Sequence, residues 1–311
     1  MKKLIFIYAI VSIHIAAFAQ APADTLADTA KVWKKGGMVS LSFSQISFTN
    51  WAAGGQNSFS GNSFVHLFAN YKKNKIAWDN SLDLGYGLFQ QGSAAIRKSD
   101  DKIDLSSKLG RLAAEKLFYT FLFNFKSQFT SGYNYPNDSV RVSNFLAPAY
   151  LLFAIGMDYK RNDHFTLFLS PATVRAVIVT DQTLADAGAY GVDKAITDTS
   201  GRIITHGKKM KMEFGGYMKM IYKLEVVKNV FFQTKLELFS NYLKDPQNIV
   251  VNWETRITMK VNKFLSANIT TTLIYDDAIP VNVYGSDGLV AKTGPRTQFQ
   301  EVFGLGLSYK F

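Results

Sequence analysis

From residue 37 to residue 311 the chain alternates apolar and polar side chains with a period of two. Successive side chains of a strand point to opposite faces, so this alternation specifies sheet with one greasy and one wet face. In 78–88, Trp78, Leu82, Leu84, Tyr86 and Leu88 share one face, and Asp79, Ser81, Asp83, Gly85 and Gly87 the other. In 117–129, Leu117, Tyr119, Phe121, Phe123, Phe125 and Phe129 oppose Thr120, Asn124, Lys126 and Gln128. The same test predicts strands at 103–109, 151–159, 165–169, 214–224, 232–238, 251–261, 265–275 and 299–311. Two segments, 39–48 and 63–72, mix parity. Ile46 and Phe48 fall out of step with Val39, Leu41 and Phe43, which predicts a bulge. The expectation is an all-β chain of about twelve strands.

Composition narrows the setting. Only 19% of the 311 residues are charged and 14% are aromatic, which excludes a disordered chain. The absence of cysteine excludes disulfides, cysteine-bound zinc and iron–sulfur clusters. After residue 20 no apolar run is long enough for a membrane helix. The first residues read as an address. Lys2 and Lys3 precede the apolar stretch Leu4–Ile15, and Ala17-Phe18-Ala19 forms a small-x-small cleavage site. This is the layout of a secretory signal peptide at 1–19, the alternative being an N-terminal anchor. Cleavage removes two lysines and no acid, so the net charge falls from +11 to +9. Residues 20–36 lack periodicity and read as a flexible periplasmic arm before a domain at 37–311. Asp24-Thr25-Leu26 and Asp28-Thr29-Ala30 resemble short bacterial O-glycosylation sites, the alternative being an unmodified linker.

A soluble sandwich also alternates, but three features favour a barrel in a membrane. Strands of ~9–11 residues suit a tilted crossing. The connections alternate in length: those at 72–76, 111–116, 160–164, 225–229 and 262–264 are short. Those at 49–58, 89–99, 130–143, 180–210, 241–249 and 276–298 are longer. Short periplasmic turns and long outer loops are the asymmetry of outer-membrane barrels. Finally, the chain ends in Tyr309-Lys310-Phe311 on an aromatic strand, similar to the C-terminal signal read by barrel-insertion machinery. Hydrocarbon tolerates no unpaired backbone, so a spanning sheet must close. The expected fold is therefore a closed antiparallel transmembrane β-barrel in a Gram-negative outer membrane, both termini periplasmic. Lipid and lipopolysaccharide surround it, and girdles are expected from Trp78, Tyr86, Tyr119, Tyr159, Tyr222, Tyr275 and Tyr309.

A series of short motifs adds a resemblance. It runs Asn50-Trp51-Ala52-Ala53-Gly54-Gly55-Gln56-Asn57-Ser58, Trp78-Asp79-Asn80-Ser81-Leu82-Asp83, Tyr86-Gly87, Asp101-Lys102, Gly132-Tyr133, Gly156-Met157-Asp158-Tyr159 and Ser170-Pro171. In this order they resemble an uncharacterised family of Bacteroidota outer-membrane proteins, a domain of unknown function. The resemblance implies fold and location and brings no activity.

Function is then a question about the wet face. Its basic positions include Lys108, Lys126, Lys160, Lys211, Lys219, Lys223, Lys235, Arg256, Lys260 and Lys310. The acidic ones include Asp79, Asp83, Asp104, Asp158, Glu213, Glu237 and Glu254. Lys235, Glu237, Glu254 and Arg256 are expected to pair across neighbouring strands, giving a salt-bridged wall. The sharper reading is a weakly anion-preferring pore, since Lys and Arg rings favour anions. Twelve strands lie between barrels that side chains fill and barrels that hold water. Leu122, Tyr150, Leu152, Phe168, Tyr217, Ile221 and Phe239 are inward, bulky and able to narrow the lumen. The leading expectation is passage or binding of small polar solutes. The alternatives are a closed structural partner in an envelope complex and, less favoured, a barrel hydrolase.

No serine-hydrolase elbow or zinc-protease motif is present, and no metal or cofactor is expected. His66, near Ser63, is the best of three poor catalytic candidates, the others being His164 and His206. The loop residues Asn50, Trp51, Gly54 and Gly55 are a candidate ligand or partner site, the alternative being a structural turn. Lys208-Lys209-Met210-Lys211 could meet lipopolysaccharide phosphates. Nucleic-acid binding has no motif to support it.

Overall fold

The structure, a computed structural model, describes residues 32–47, 56–134, 138–262, 264–284 and 290–311. Twelve antiparallel strands close into one barrel. They are β1 (Trp33–Ile46), β2 (Ser58–Lys73), β3 (Ile76–Gln91), β4 (Arg97–Ala114), β5 (Leu117–Ser127) and β6 (Ala149–Lys160). There follow β7 (Phe165–Ile178), β8 (Met210–Val227), β9 (Val230–Asn241), β10 (Ile249–Lys260), β11 (Leu265–Tyr275) and β12 (Gln298–Lys310). Each strand pairs with the next in sequence, and β12 returns to β1. The short links lie at the end where Gly37 and Phe311 exchange backbone hydrogen bonds, and the long links at the other.

Two expectations are corrected. β1 begins at Trp33, inside the segment expected to be a free arm, because Trp33 finds Tyr71 and Trp78 to pack on, at 5.2 and 5.8 Å between ring centroids. As far as Ile46 the expected bulge does not occur, since β1 pairs with β2 in unbroken register from Trp33 to Ile46; Phe48 lies outside the described residues. Ile46 is an exposed residue at the far tip of the strand, where the pattern no longer has to serve two faces.

A bulge does occur in β7. Between Leu169 and Ala172 it holds one residue more than β6 opposite, and the same excess faces β8. Pro171 sits there, where its missing N–H breaks no ladder bond. The Ser170 hydroxyl donates to the Ile155 carbonyl at 2.8 Å, and Thr173 Oγ1 to Ser170 Oγ at 2.8 Å.

The exterior is apolar almost throughout. Val39, Leu41, Leu105, Phe121, Ile155, Leu169, Phe303 and Leu307 all stand exposed on the outward parity. Trp33, Trp78, Tyr119, Tyr159, Tyr222 and Tyr309 form a ring at the end with the termini, while Tyr86 and Tyr242 lie toward the other. A surface this apolar is incompatible with a monomer in water and matches a hydrocarbon surround.

Candidate functional site: the bridged lumen

The inward parity carries charges that meet from opposite walls. In a ring of twelve, β4 and β10 stand diametrically opposed. Lys102 Nζ on β4 nevertheless lies 2.6 Å from Glu254 Oε2 on β10. Lys235 on β9 reaches Asp104 on β4 at 3.4 Å and its ladder neighbour Glu254 at 4.0 Å. Lys126 on β5 donates to Glu237 Oε2 on β9, past three intervening strands. The other oxygen of Glu237 takes the Tyr217 hydroxyl at 3.0 Å and Lys219 Nζ at 3.4 Å. Asn124 donates to Asp104 Oδ1 at 2.7 Å. The result is a bar of alternating acids and bases across the middle of the barrel. Buried charges persist only when paired and hydrogen-bonded, and each carboxylate here touches at least one cation.

Two further ion clusters flank the bar. Nearer the termini, Lys108 pairs with Asp158 at 2.7 Å and Lys160 with Asp79 at 2.5 Å. At the far end, Arg175 on β7 meets Glu213 at 2.5 Å and Asp276, beyond β11, at 3.0 Å, while Lys211 meets Glu213 at 2.7 Å. Beside the bar, Leu122, Leu152, Ala154, Phe168, Tyr217 and Phe239 pack into an apolar plug. Five of these six are among the bulky inward residues that the alternation exposes to view in the sequence.

Of the candidate lumen residues, Lys108, Lys126, Lys219, Lys235, Glu237, Glu254 and Arg256 enter ion pairs. Lys260 lies instead over the Phe231 ring, 4.7 Å from its centroid. Of the pairing expected across the ladder among Lys235, Glu237, Glu254 and Arg256, Lys235–Glu254 is present, at 4.0 Å. Arg256–Glu254 also exists, at 3.3 Å, but Glu237 and Glu254 find their nearest cations across the lumen. Lys102, Arg175 and Asp276 were missed. Lys102 shares the parity of Asp104 but lies just before the strand expected at 103–109. Arg175 follows the bulge, where parity shifts.

The candidate loop residues Asn50, Trp51, Gly54 and Gly55 lie outside the described residues. Lys208 and Lys211, expected to meet phosphates, are engaged by Asp193 and Glu213 at 2.8 and 2.7 Å. The Ser63–His66 pairing is not assembled. His66 points inward to Asp83 at 2.5 Å, and Ser63, one parity removed, donates to the Tyr86 carbonyl. His164 Nδ1 contacts the Lys223 carbonyl, and His206 pairs with Asp186. Among the described residues no group of His, Cys, Asp or Glu is arranged to hold a metal.

The mouth away from the termini is roofed by the 31-residue link between β7 and β8, residues 179–209, with Gly191 against Ala278 beyond β11. It holds a one-turn helix α1 (Gln182–Asp186), packed through Val179, Leu184, Ala185 and Val192 against Ala147 of the β5–β6 link. Asp181 caps α1 by accepting from Thr183 N and Leu184 N, and takes Arg141 at 2.7 Å from that neighbouring link. The Arg141 hydrogen bond holds the Asp181 carboxyl below the usual carboxylate range. Asp181 therefore favours the folded loop fully above the unfolded pKa near 4, and the effect is lost as pH falls through its own lower value. Accordingly, protease cleavage within 179–209 should accelerate below about pH 4 in the native chain. In Asp181→Ala it should be fast already at neutral pH, and equal rates for the two proteins at pH 7 would refute the clasp.

Comparison with known proteins follows from this geometry. A family described as a protein of unknown function (DUF3078) matches residues 43–133, from β1 to the link after β5. No curated protein matches the chain in sequence. Among solved structures the chain is similar to an outer membrane channel from Pseudomonas putida F1, at 10% identity and TM-score 0.40, covering 92% of this chain and 100% of that one. It is also similar to the translocator domain of the autotransporter NalP from Neisseria meningitidis, at 10% identity and TM-score 0.36, covering 89% of each. For the NanC porin the figures are 9% and 0.35, covering 89% of this chain and 100% of that one. These are likenesses between barrels, and the functional reading rests on this chain's own wall.

Proposed function

We propose that the chain is an outer-membrane barrel, both termini periplasmic, that passes small polar solutes when the ion pairs barring its lumen part. The observation that carries this is the Lys102–Glu254 contact between diametrically opposed strands. Part of the lumen is filled by the apolar plug, but the bar beside it is ionic, and buried ion pairs contribute little net stability. A bar of charge can exchange its partners for water and solute. The central bar sets five cations, Lys102, Lys126, Lys219, Lys235 and Arg256, against Asp104, Glu237 and Glu254, so an opened lumen would prefer anions. Small polar solutes, preferentially anionic, are the cargo this wall suits. The C-terminal strand, with Tyr309 and Phe311 stacked 6.0 Å apart, is the segment offered to insertion machinery.

The test is planar-bilayer recording of the mature protein. The native barrel should show rare, small steps that become frequent at molar salt, where the Debye length shrinks to ~3 Å. Glu254→Gln should conduct steadily and with stronger anion selectivity under a salt gradient, because Lys102 and Lys235 then lose a partner. Silence from folded native and variant protein alike would establish the closed structural barrel instead.

A further inference from the structure

The end of the barrel that carries the termini holds a cleft of about 480 Å³ on its outer surface, where the β6–β7 link meets the start of β7 and the end of β8. That volume falls within the ~300–1,000 Å³ of small-ligand sites. The floor is apolar. Phe165 and Tyr222 stand opposite each other in the ladder on the lipid-facing parity, and Leu224 follows on the same face. The rim is polar, with Arg161, Asn162 and His164 from the link and Glu225 from β8. Tyr222 belongs to the aromatic ring at this end, so the cleft sits at the height where hydrocarbon gives way to headgroups. The five short links here, 72–76, 111–116, 160–164, 225–229 and 262–264, carry nine Lys or Arg against three Asp or Glu. Such a basic collar attracts a phosphate-bearing lipid surface.

The rim is held in place, and its charges are left over. Asn162 Oδ1 accepts from the backbone N–H groups of His164 and Phe165, both at 3.0 Å, which fixes the link. Lys223 N donates to the His164 carbonyl at 2.8 Å, and His164 Nδ1 donates to the Lys223 carbonyl at 3.0 Å. A carbonyl only accepts, so Nδ1 carries the proton and Nε2 of the neutral ring is left as an acceptor. Glu225 Oε1 accepts from Asn229 N at 2.7 Å, which leaves Oε2. Arg161 and Glu225 line one cleft, yet neither enters an ion pair among the described residues, with each other or with a third group. Opposite charges held apart over a greasy floor fit a ligand that is itself a dipole with an apolar tail. A guanidinium takes phosphate in a two-pronged bond, while a carboxylate and an imidazole nitrogen both accept from N–H.

We infer that the cleft seats one zwitterionic phospholipid whose head carries a primary ammonium. The phosphate meets Arg161, the ammonium meets Glu225 and His164 Nε2, and an acyl chain runs along Phe165, Tyr222 and Leu224. A trimethylated ammonium has no N–H for the two acceptors, and a glycerol head offers Glu225 no cation. The inference rests on the reading of the chain as a membrane barrel.

Protein is first reconstituted into vesicles and shown to resist alkaline extraction. In micelles, native mass spectrometry under activation that strips loosely held lipid should then find one dilauroylphosphatidylethanolamine per barrel. Dilauroylphosphatidylcholine and dilauroylphosphatidylglycerol, with the same tails, should each bind about tenfold more weakly, the effect of one charged hydrogen bond. Arg161→Gln should weaken all three lipids by a similar factor, since each carries the phosphate. Glu225→Gln keeps an oxygen acceptor for Asn229 N, so the β8–β9 turn is preserved. It should bring the ethanolamine lipid down to the level of the other two and leave those unchanged. Retention of the choline or glycerol lipid as strong as that of the ethanolamine lipid would overturn the inference, as would ethanolamine-lipid binding indifferent to both substitutions. Extraction of the native protein from vesicles would instead overturn the membrane reading beneath it.

Discussion

Glu237→Ala is expected to destabilise the barrel by about 3–5 kcal/mol, the cost of breaking a buried ion pair by deleting one partner. Glu237 is the common acceptor of Lys126, Lys219 and the Tyr217 hydroxyl. Its removal leaves two ammonium groups facing each other inside the wall, with Lys235 close by on the same strand. Denaturant unfolding in micelles measures the loss directly. The triple replacement Lys126→Met, Lys219→Leu and Glu237→Leu should recover most of it, because an apolar substitute for a buried ion cluster is often neutral or better. That triple variant should also conduct less than the native protein, since its lumen is then plugged by side chains that cannot exchange for water. A loss below about 1 kcal/mol for Glu237→Ala would match a solvated surface pair and show that water already fills the lumen.

Gly156→Val should prevent folding outright. A Cβ at Gly156 would stand 2.0 Å from the Leu169 carbonyl oxygen and 2.7 Å from Ser170 Cα, both backbone atoms of the β7 bulge. No rotamer relieves such a contact, so the bulge that Ser170 and Thr173 hold would have to break. Overpacking where side chains can adjust costs about 1–3 kcal/mol, and here the backbone itself must move. The compact, fast-migrating band of the folded barrel should be absent on an unheated denaturing gel. Gly294→Ala is the control: nothing lies within 4 Å of its added Cβ, and it should fold as the native chain does. A folded Gly156→Val would mean that the bulge is dispensable.

The fold was legible in the sequence because a barrel wall has a period of two and nothing else to specify. Ten of the twelve strands and the inward parity of Lys126, Glu237 and Glu254 follow from alternation alone, while 39–48 and 63–72 mix parity. What alternation cannot carry is distance across the lumen. Glu254 has Lys235 as a ladder neighbour, which suggests a pair, yet its shortest contact is with Lys102 on the far wall. Only the barrel's curvature decides that. Parity also fails at bulges, which hid Arg175 behind Ser170-Pro171. The roof over the mouth was unreadable for a different reason. The loop 179–209 is held by single contacts, such as Asp181 to Arg141 and Tyr190 to the Val142 carbonyl, that have no period.

The strand order carries a consequence for how the wall is assembled. Eleven of the twelve ladders join hairpins adjacent in the chain, and one joins its two ends. Nearly all contacts therefore have low contact order, and their loop-closure entropy is small. The growing sheet can accrete hairpin by hairpin, in either direction, without waiting for a distant partner. The exception must be made last, after every other strand is in place. It is also the shortest ladder, so circularisation falls to five strand pairs and the mutual hydrogen bonds of Gly37 and Phe311. The ring is thus a clasped belt whose buckle is its weakest link.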